Sequence, residues 1–578
     1  MGRDMKVLAY LLLSLIAISI TFVAAVGAEK SQPYAVVVIT PQTVEKYAIA
    51  GNGTPENPYI IRLGKINARG YTYGIVIANI SNVILRDTIV VGAAKDNIRI
   101  INCTNVTLLN VTSSNTESGT GIYIFNSSKV KLEKVSVSGS GYWGIGIANA
   151  TYVTLERVSS SFNQNEGIFA IHVKNLRIVG AHIAGNGKKG MYIMLSENIS
   201  IENVQVYDSR DGDSIKLERC SNVVVKHAKL VRAKYWNLCL MGVTNAYIYD
   251  VYTTGAGWDG LYIGGSKNVT VSRCTFYQDT YKGVFIEASY NVKILNSTIM
   301  PIKDVGINMK GRVMNVIIKN NIIMETGNSG IRCEPPIGVV RNILIVNNTI
   351  MRTAVAGIDL ACRAQNVTIV NNTIVSNKHN GIYIYKGSSN IKIMYNTVCN
   401  NTKNGIKIKS GVSNVEIAYN YIAKNGLYAI FIESNCKNIR IHDNKIVDNG
   451  KKPQAYDDSG AKWYHNIWSD YIGKGPYTIA GKAGARDENP VPLAIKTTTT
   501  SPRPSTASPR TSASPISTPT TPTTPIQSST SPTTSPTSTP TISVATTQIT
   551  ARQIPMAYIA SIVIVAIAIA IAIAILRK

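Results

Sequence analysis

Away from its two ends the chain has no long apolar run, no Cys-x-x-Cys pair among its 8 cysteines, only 6 histidines, and 33 acidic residues against 59 basic ones. The first absence leaves the middle of the chain without a segment that could cross a bilayer as a helix. The second removes the spacing that zinc and dithiol redox sites use. Cys333 and Cys362 are the one pair whose spacing allows a bridge, and buried free thiols are the expected state. The shortage of acid leaves a formal net charge of +26, spread over lysines and arginines through residues 60–450. Charge scattered in this way suits a solvated surface or an acidic polysaccharide better than nucleic acid, which an exported chain does not meet.

The ends carry what the middle lacks. Residues 1–28 read as a signal peptide: Arg3 and Lys6 precede the apolar "VLAYLLLSLIAISITFV", and "VGA" ends at Ala28 as a cleavage site. Residues 556–576, "MAYIASIVIVAIAIAIAIAIL", are long enough to cross a bilayer of ~30 Å, with Arg577 and Lys578 as a cytoplasmic tail. Residues 497–555 are a Ser/Thr/Pro-rich stalk that cannot bury a core. The expected location is the cell surface, as a single-pass membrane protein held by its C-terminal helix with the N-terminal region outside. Abundant sequons, among them those at Asn52, Asn79, Asn105, Asn149, Asn198, Asn268, Asn296 and Asn366, suit a glycoprotein.

Between the ends a small residue followed by apolar–x–apolar recurs, from "GIVI" at Gly74 through "GIYI" at Gly121 and "SIKL" at Ser214 to "AIFI" at Ala429. Nearly every step is 23 or 24 residues, and one, from Gly330 to Gly357, is 27. A second short strand follows nine or ten residues after each anchor, as in "VKL" at Val130, and a third apolar pair about five residues later. Three strands per repeat, separated by Asn- and Gly-rich turns, predict an all-β, single-stranded, right-handed parallel β-helix of about 16 coils followed by the transmembrane helix. Stacked at strand spacing the coils make a rod on the order of 75 Å long. The expected divisions are an N-terminal cap at 29–73, the β-helix at 74–450 and a C-terminal cap at 451–496. Anchor Gly and turn Asn are expected to supply backbone conformations that branched residues resist.

Two flanking segments carry a family resemblance. "GNGTPENPYII", Gly51 to Ile61, resembles the opening segment of the NosD-like right-handed β-helix repeat proteins, and "NIWSDYIGKGPYTIAG", Asn466 to Gly481, resembles their closing segment. The resemblance covers about Gly51 to Leu493 and implies a surface module of an archaeal or bacterial envelope. The family's copper-maturation role needs His, Cys or Met converging on one spot. Here His172, His182, His227, His379, His442 and His465 fall at different phases or coils apart, so neither a metal nor another cofactor is expected.

Two residues past each anchor the side chain should face out, and that column holds Tyr123, Phe169, Tyr192, Tyr262, Phe285 and Tyr383, with Lys216 among the cations between them. With Trp258 and Lys282 nearby, the stripe has the residue types that stack on sugar rings and pair with uronic carboxylates. Stacking of coil on coil explains the same residues without a ligand. Asp211 and Asp213 lie in the turn before Ser214, and Asp259 shares the phase of Asp213 two coils on, which separates the carboxylates by roughly 10 Å. "RDGDSIK" also resembles part of the polygalacturonase signature, but the Gly-His-Gly and Arg-x-Lys that follow it there are missing, as are pectate lyase and alginate epimerase signatures. Three functions follow as expectations. The first is a membrane-anchored surface protein that binds glycans or envelope partners. The second is a lyase or hydrolase of acidic polysaccharide centred on Asp211, Asp213 and Asp259. The third is a structural envelope rod.

Overall fold

The computed structural model describes residues 33–334 and 340–493. The signal peptide, stalk, transmembrane helix and tail expected from the sequence lie outside the described residues. Within them no helix is long and apolar enough to cross a membrane.

A single coil shows why this sequence folds as it does. Ile122–Phe125, Ser128–Glu133 and Ser136–Ser138 are its three strands. Ile122, Ile124, Val130, Leu132 and Val137 point inward and are buried, while their neighbours alternate outward. Left-handed residues at Asn126, Lys134 and Gly139 turn the chain between strands. Each strand pairs in parallel with its counterpart in the next coil, as Ile122 with Ile145, Val130 with Val153 and Val137 with Ser160. The result is a right-handed parallel β-solenoid.

It has about 18 turns rather than about 16. The extra coils come from Ala35–Ile39, which pairs with Tyr73–Ala78, and Ala455–Asp457, which pairs with Ile430–Ile432. Both lack the small–apolar–x–apolar signature. The N-terminal end is closed by Ala48–Ala50, antiparallel to Tyr59–Asn67, with the intervening loop tied down by Asn82 Nδ2 donating to Gly53 O at 2.8 Å.

Anchor glycines are present for a reason other than the expected one. None of Gly74, Gly121 or Gly381 has a positive φ. A Cβ on Gly121 would instead sit 2.3 Å from Val137 Cγ1 and 2.8 Å from the carbonyl oxygen of Gly144 in the next coil. Space between stacked coils, not backbone freedom, selects glycine there.

Turn asparagines behave as expected and do more. From Asn175 to Asn438 each coil places a left-handed Asn on the same edge, and each amide donates to the one before, as Asn268 Nδ2 to Asn245 Oδ1 at 2.9 Å. A second ladder runs inside the C-terminal coils through Asn321, Asn348, Asn372, Asn396, Asn420, Asn444 and Asn466. It ends on Asp487, which accepts from Asn466 Nδ2 and from the indole of Trp468. Trp468 is fully buried and stacks on Tyr477 at 4.0 Å, and Asp470 accepts from Gln454 at 2.6 Å. The closing segment is thus the physical stop of the ladder.

Cys333 and Cys362 form a disulfide with Cα atoms 5.5 Å apart, so the expectation of free thiols fails for this pair. Residues two coil-faces apart in sequence meet because the longer repeat still returns in register, Cys333 pairing with Leu360. The other six cysteines are free and buried. A Cys333→Ala variant should lose about 3.5 kcal/mol of stability, the loop entropy of a closed ~30-residue segment. Reductant should lower the urea midpoint of the parent chain and leave that of the variant unmoved.

Candidate functional site

The outward column predicted two residues past each anchor exists as one continuous stack. Its central part runs Phe169, Tyr192, Lys216, Cys239, Tyr262, Phe285 in strict pairing register. Backbone bonds stack the preceding turn residues in the same order: Gly190 N donates to Asp213 O, Ser214 N to Trp236 O, Asn237 N to Asp259 O and Gly260 N to Lys282 O. The face is therefore a strip of outward strand residues with a raised border of turn residues along one side.

On three of these coils the border is aromatic. Trp236 stacks on Tyr262 with ring centroids 4.7 Å apart and meets Trp258 at 4.9 Å; Tyr235 meets Trp258 at 4.7 Å, and Tyr262 meets Phe285 at 5.5 Å. Trp258 and Tyr281 remain 41% and 49% exposed, so the cluster offers ring surface to solvent rather than sealing it. Lys282 lies 4.9 Å from the Phe285 ring, and Lys216 5.2 Å from that of Tyr192. Each lysine also faces a carboxylate: Lys216 to Glu218 at 2.9 Å and Lys282 to Asp304 at 3.9 Å. Glu218 accepts from the Tyr192 hydroxyl and Glu287 from that of Tyr262, both at 2.7 Å. These bonds and burial raise both phenols above their ordinary range. The Tyr192 and Tyr262 rings are thereby held in place.

The three aspartates divide by role. Asp211 is exposed, bound to Lys234 Nζ at 2.7 Å and to the Tyr235 hydroxyl at 3.3 Å, and that lysine holds its carboxyl below the usual range. Asp213 and Asp259 are buried, and burial lifts each to about 6 against the pull of Lys189 and Lys216 on the first and Lys282 on the second. Asp213 Oδ1 accepts the backbone N–H of Trp236 at 3.2 Å. Asp259 Oδ1 accepts that of Lys282 at 3.0 Å, and its Oδ2 the Trp236 indole N–H at 2.9 Å. Asn380 and Asn404 hold the same place in later coils and accept the N–H of Asn404 and Tyr428. A carboxylate here does the coil-to-coil work that an amide does elsewhere, and Asp259 has both oxygens committed.

Tyr123 and Tyr383 lie apart from this cluster. Tyr123 is only 8% exposed, with the Arg99 guanidinium 5.4 Å from its ring, and Tyr383 meets Tyr385 at 6.4 Å four coils beyond Phe285. Phe169 sits at the lower end, stacked on Trp143 at 4.2 Å. The sequence pattern centred on the outward column missed Tyr235 and Tyr281. Their signal was available: "YWN", "WDG" and "YKG" recur at 23-residue steps just before three successive anchors.

Among the described residues no three His, Cys, Asp or Glu side chains gather as a metal site. His442, the most buried histidine, is engaged by Asp443 at 2.8 Å and Glu416 at 3.5 Å, and Tyr464 stacks on it at 4.7 Å. The donors present do not fit copper, which prefers converging His, Cys or Met.

Comparison with known families finds two profiles in the chain. The right-handed β-helix region matches residues 49–206, 96–249 and 238–398, and the profile described as periplasmic copper-binding protein (NosD) matches 337–481. No curated protein matches the chain. Among solved structures it is similar to the periplasmic alginate epimerase AlgG, at 14% identity over 72% of this chain and 85% of that one, with a TM-score of 0.33. It is also similar to the Dettilon tailspike protein (14% identity, 56% and 60% covered, TM-score 0.35). The DFA-IIIase of Arthrobacter chlorophenolicus A6 matches at 10% identity, with 55% and 95% covered and a TM-score of 0.34.

Proposed function

This chain belongs to the right-handed β-helix family, and on that footing we propose that it is a cell-surface protein, anchored by its C-terminal helix, that binds glycan through the face carrying the column from Phe169 to Phe285. One observation carries the reading: Trp258 and Tyr281 stay exposed on successive coils, beside a stack in which Trp236 and Tyr262 are fixed by hydrogen bonds to Asp259 and Glu287 and Phe285 packs against Tyr262. Exposed large rings usually find cover in a core; rings held open and flat bind the apolar faces of sugars. The disulfide fits an oxidising exterior.

The test uses the full chain purified in detergent and titrated calorimetrically with neutral and uronic oligosaccharides. Trp236→Ala should weaken binding at least tenfold, since it removes the ring on which both Trp258 and Tyr262 rest. Unchanged affinity in that variant, or no binding to any glycan, would leave the structural rod as the better reading.

A second reading, hydrolysis or lysis of acidic polysaccharide, has one supporting feature: two buried acids at about 6, roughly two coil spacings apart. It requires turnover of a polymer that Asp213→Asn and Asp259→Asn both abolish. The engagement of Asp259 by Trp236 and Lys282 favours binding over that chemistry.

A further inference from the structure

Beyond Phe285 the outward column continues through Asn308, Arg332 and Asp359 to Tyr383. Asn308 is completely buried, yet neither its Oδ1 nor its Nδ2 has a hydrogen-bond partner. Arg332 Nε and Asp359 Oδ1 are likewise buried and without a hydrogen bond. Of the 8 such side-chain atoms among the described residues, these three neighbouring coils hold 4.

The concentration asks for a cause. Buried amide and carboxylate atoms are almost always paired, because leaving one unmade forfeits its hydration for nothing. The same column position accepts Tyr262 and Phe285 two and one coils earlier, so an apolar side chain would fit the stack. Polar residues retained in three consecutive coils where apolar ones would stabilise more mark a functional position.

The atoms also define what would pair with them. Asn308 Nδ2 and Arg332 Nε are donors, and Asn308 Oδ1 and Asp359 Oδ1 are acceptors. Asp359 Oδ2 accepts from Ser329 Oγ at 3.3 Å, and Arg332 Nε faces it at 3.5 Å as an ion pair without a hydrogen bond. Arg332 and Asp359 cancel in charge. Two donors, two acceptors and no net charge match a pair of adjacent hydroxyls, each of which gives one hydrogen bond and receives another. A carboxylate or sulfate, which only accepts, would set its oxygens against Asn308 Oδ1 and Asp359 Oδ1. Neither amide atom of Asn308 touches solvent in this conformation. Arg332 is the movable member: its side chain is 27% exposed and held by that one loose ion pair.

We propose that Asn308, Arg332 and Asp359 form a subsite for the vicinal hydroxyls of a neutral sugar, reached as the Arg332 side chain swings outward. The proposal rests on the glycan-binding reading and narrows it: the subsite takes sugar hydroxyls rather than a uronate carboxylate, and it occupies the three coils directly past the aromatic cluster on the same face.

The experiment compares the full chain in detergent with Asn308→Leu and Trp236→Ala. Each is titrated with neutral hexose tetrasaccharides (cellotetraose, maltotetraose, mannotetraose) and with a tetra-uronate, and melting is followed without ligand. Asn308→Leu should weaken neutral-sugar binding at least tenfold while its melting temperature holds or rises, because an unpaired buried amide has been replaced by a side chain of similar size. Unchanged affinity in Asn308→Leu, with binding lost in Trp236→Ala, overturns the subsite and leaves the aromatic site standing. A melting temperature lowered by several degrees with affinity intact shows the amide to be structural and also overturns it. Preference of the parent chain for the uronate overturns the assigned sugar class. Absence of binding to every saccharide overturns both readings together.

Discussion

Asn396→Ala should be among the most damaging single substitutions in the chain, lowering stability by about 4 kcal/mol, because one side chain serves three coils. Asn396 Nδ2 donates to Ile369 O, to Met394 O and to Asn420 Oδ1, all within 2.9–3.0 Å. Its Oδ1 accepts from the backbone N–H and the amide of Asn372, both at 2.9 Å. Alanine strands two carbonyls and two N–H groups at a position that is 1% exposed, and adds a cavity. Asn396→Asp should be no better: it keeps the acceptor but loses every donor and buries a charge. In a solenoid each coil touches only its neighbours, so the damage should be local. Hydrogen exchange and limited proteolysis should show new opening between residues near 370 and 420, while coils near Ile122 stay protected. Equal protection of both regions, with a melting temperature like the parent's, would mean that the ladder adds little.

The same ladder shows which parts of the fold could be read from the sequence. Strand alternation and the 23–24 residue step are legible because both arise from a narrow core that each coil must fill in the same way. The end coils escaped notice because "AVVVI" at Ala35 and "AYD" at Ala455 keep the strand but not the anchor glycine. The "NN" pairs at Asn347 and Asn371 read as turns, which is half of the truth. Their first Asn does take a left-handed turn, but the second points inward and carries the ladder. A turn residue and a core residue share one letter there, and composition cannot separate them. The outward column was legible for the same reason as the core, through period alone. Which parts of the face lie open was not: Tyr123 in the column is covered and Trp258 on the border exposed, and no period specifies the direction of turn residues. The pairing of Trp236 with Asp259 is a contact between coils 23 residues apart and shows only once the register is fixed.

Asp279→Asn should stabilise the protein at pH 8, by on the order of 2–4 kcal/mol, and flatten its stability between about pH 4 and pH 7. Asp279 is completely buried in an inward column where other coils carry Asn. Its Oδ1 accepts the N–H of Ala256 at 3.0 Å, just as Asn163 Oδ1 accepts that of Ser140 and Asn377 Oδ1 that of Thr353. Burial lifts its carboxyl to about 7, against bonds from Ala256, Thr253 and Asn237 that favour the anion. In the unfolded chain the same group ionises near ~4. Below that pH it is neutral in both states and contributes no slope. Between about 4 and about 7 the folded state keeps a proton that the unfolded state has released, so stability falls as pH rises. Above about 7 both states are ionised and the full cost of the buried charge remains. Asparagine keeps the acceptor for Ala256 and for Asn237, and its amide can donate to Thr253, whose hydroxyl rotates to receive it. Parent and variant should therefore melt together near pH 4 and separate steadily toward pH 8, with the variant higher. A residual slope from Asp213 and Asp259, both at about 6, should remain in the variant. Parallel melting curves across that range would show that Asp279 is ionised in the fold at little cost, with Asn237, Thr253 and Ala256 replacing water as its solvent.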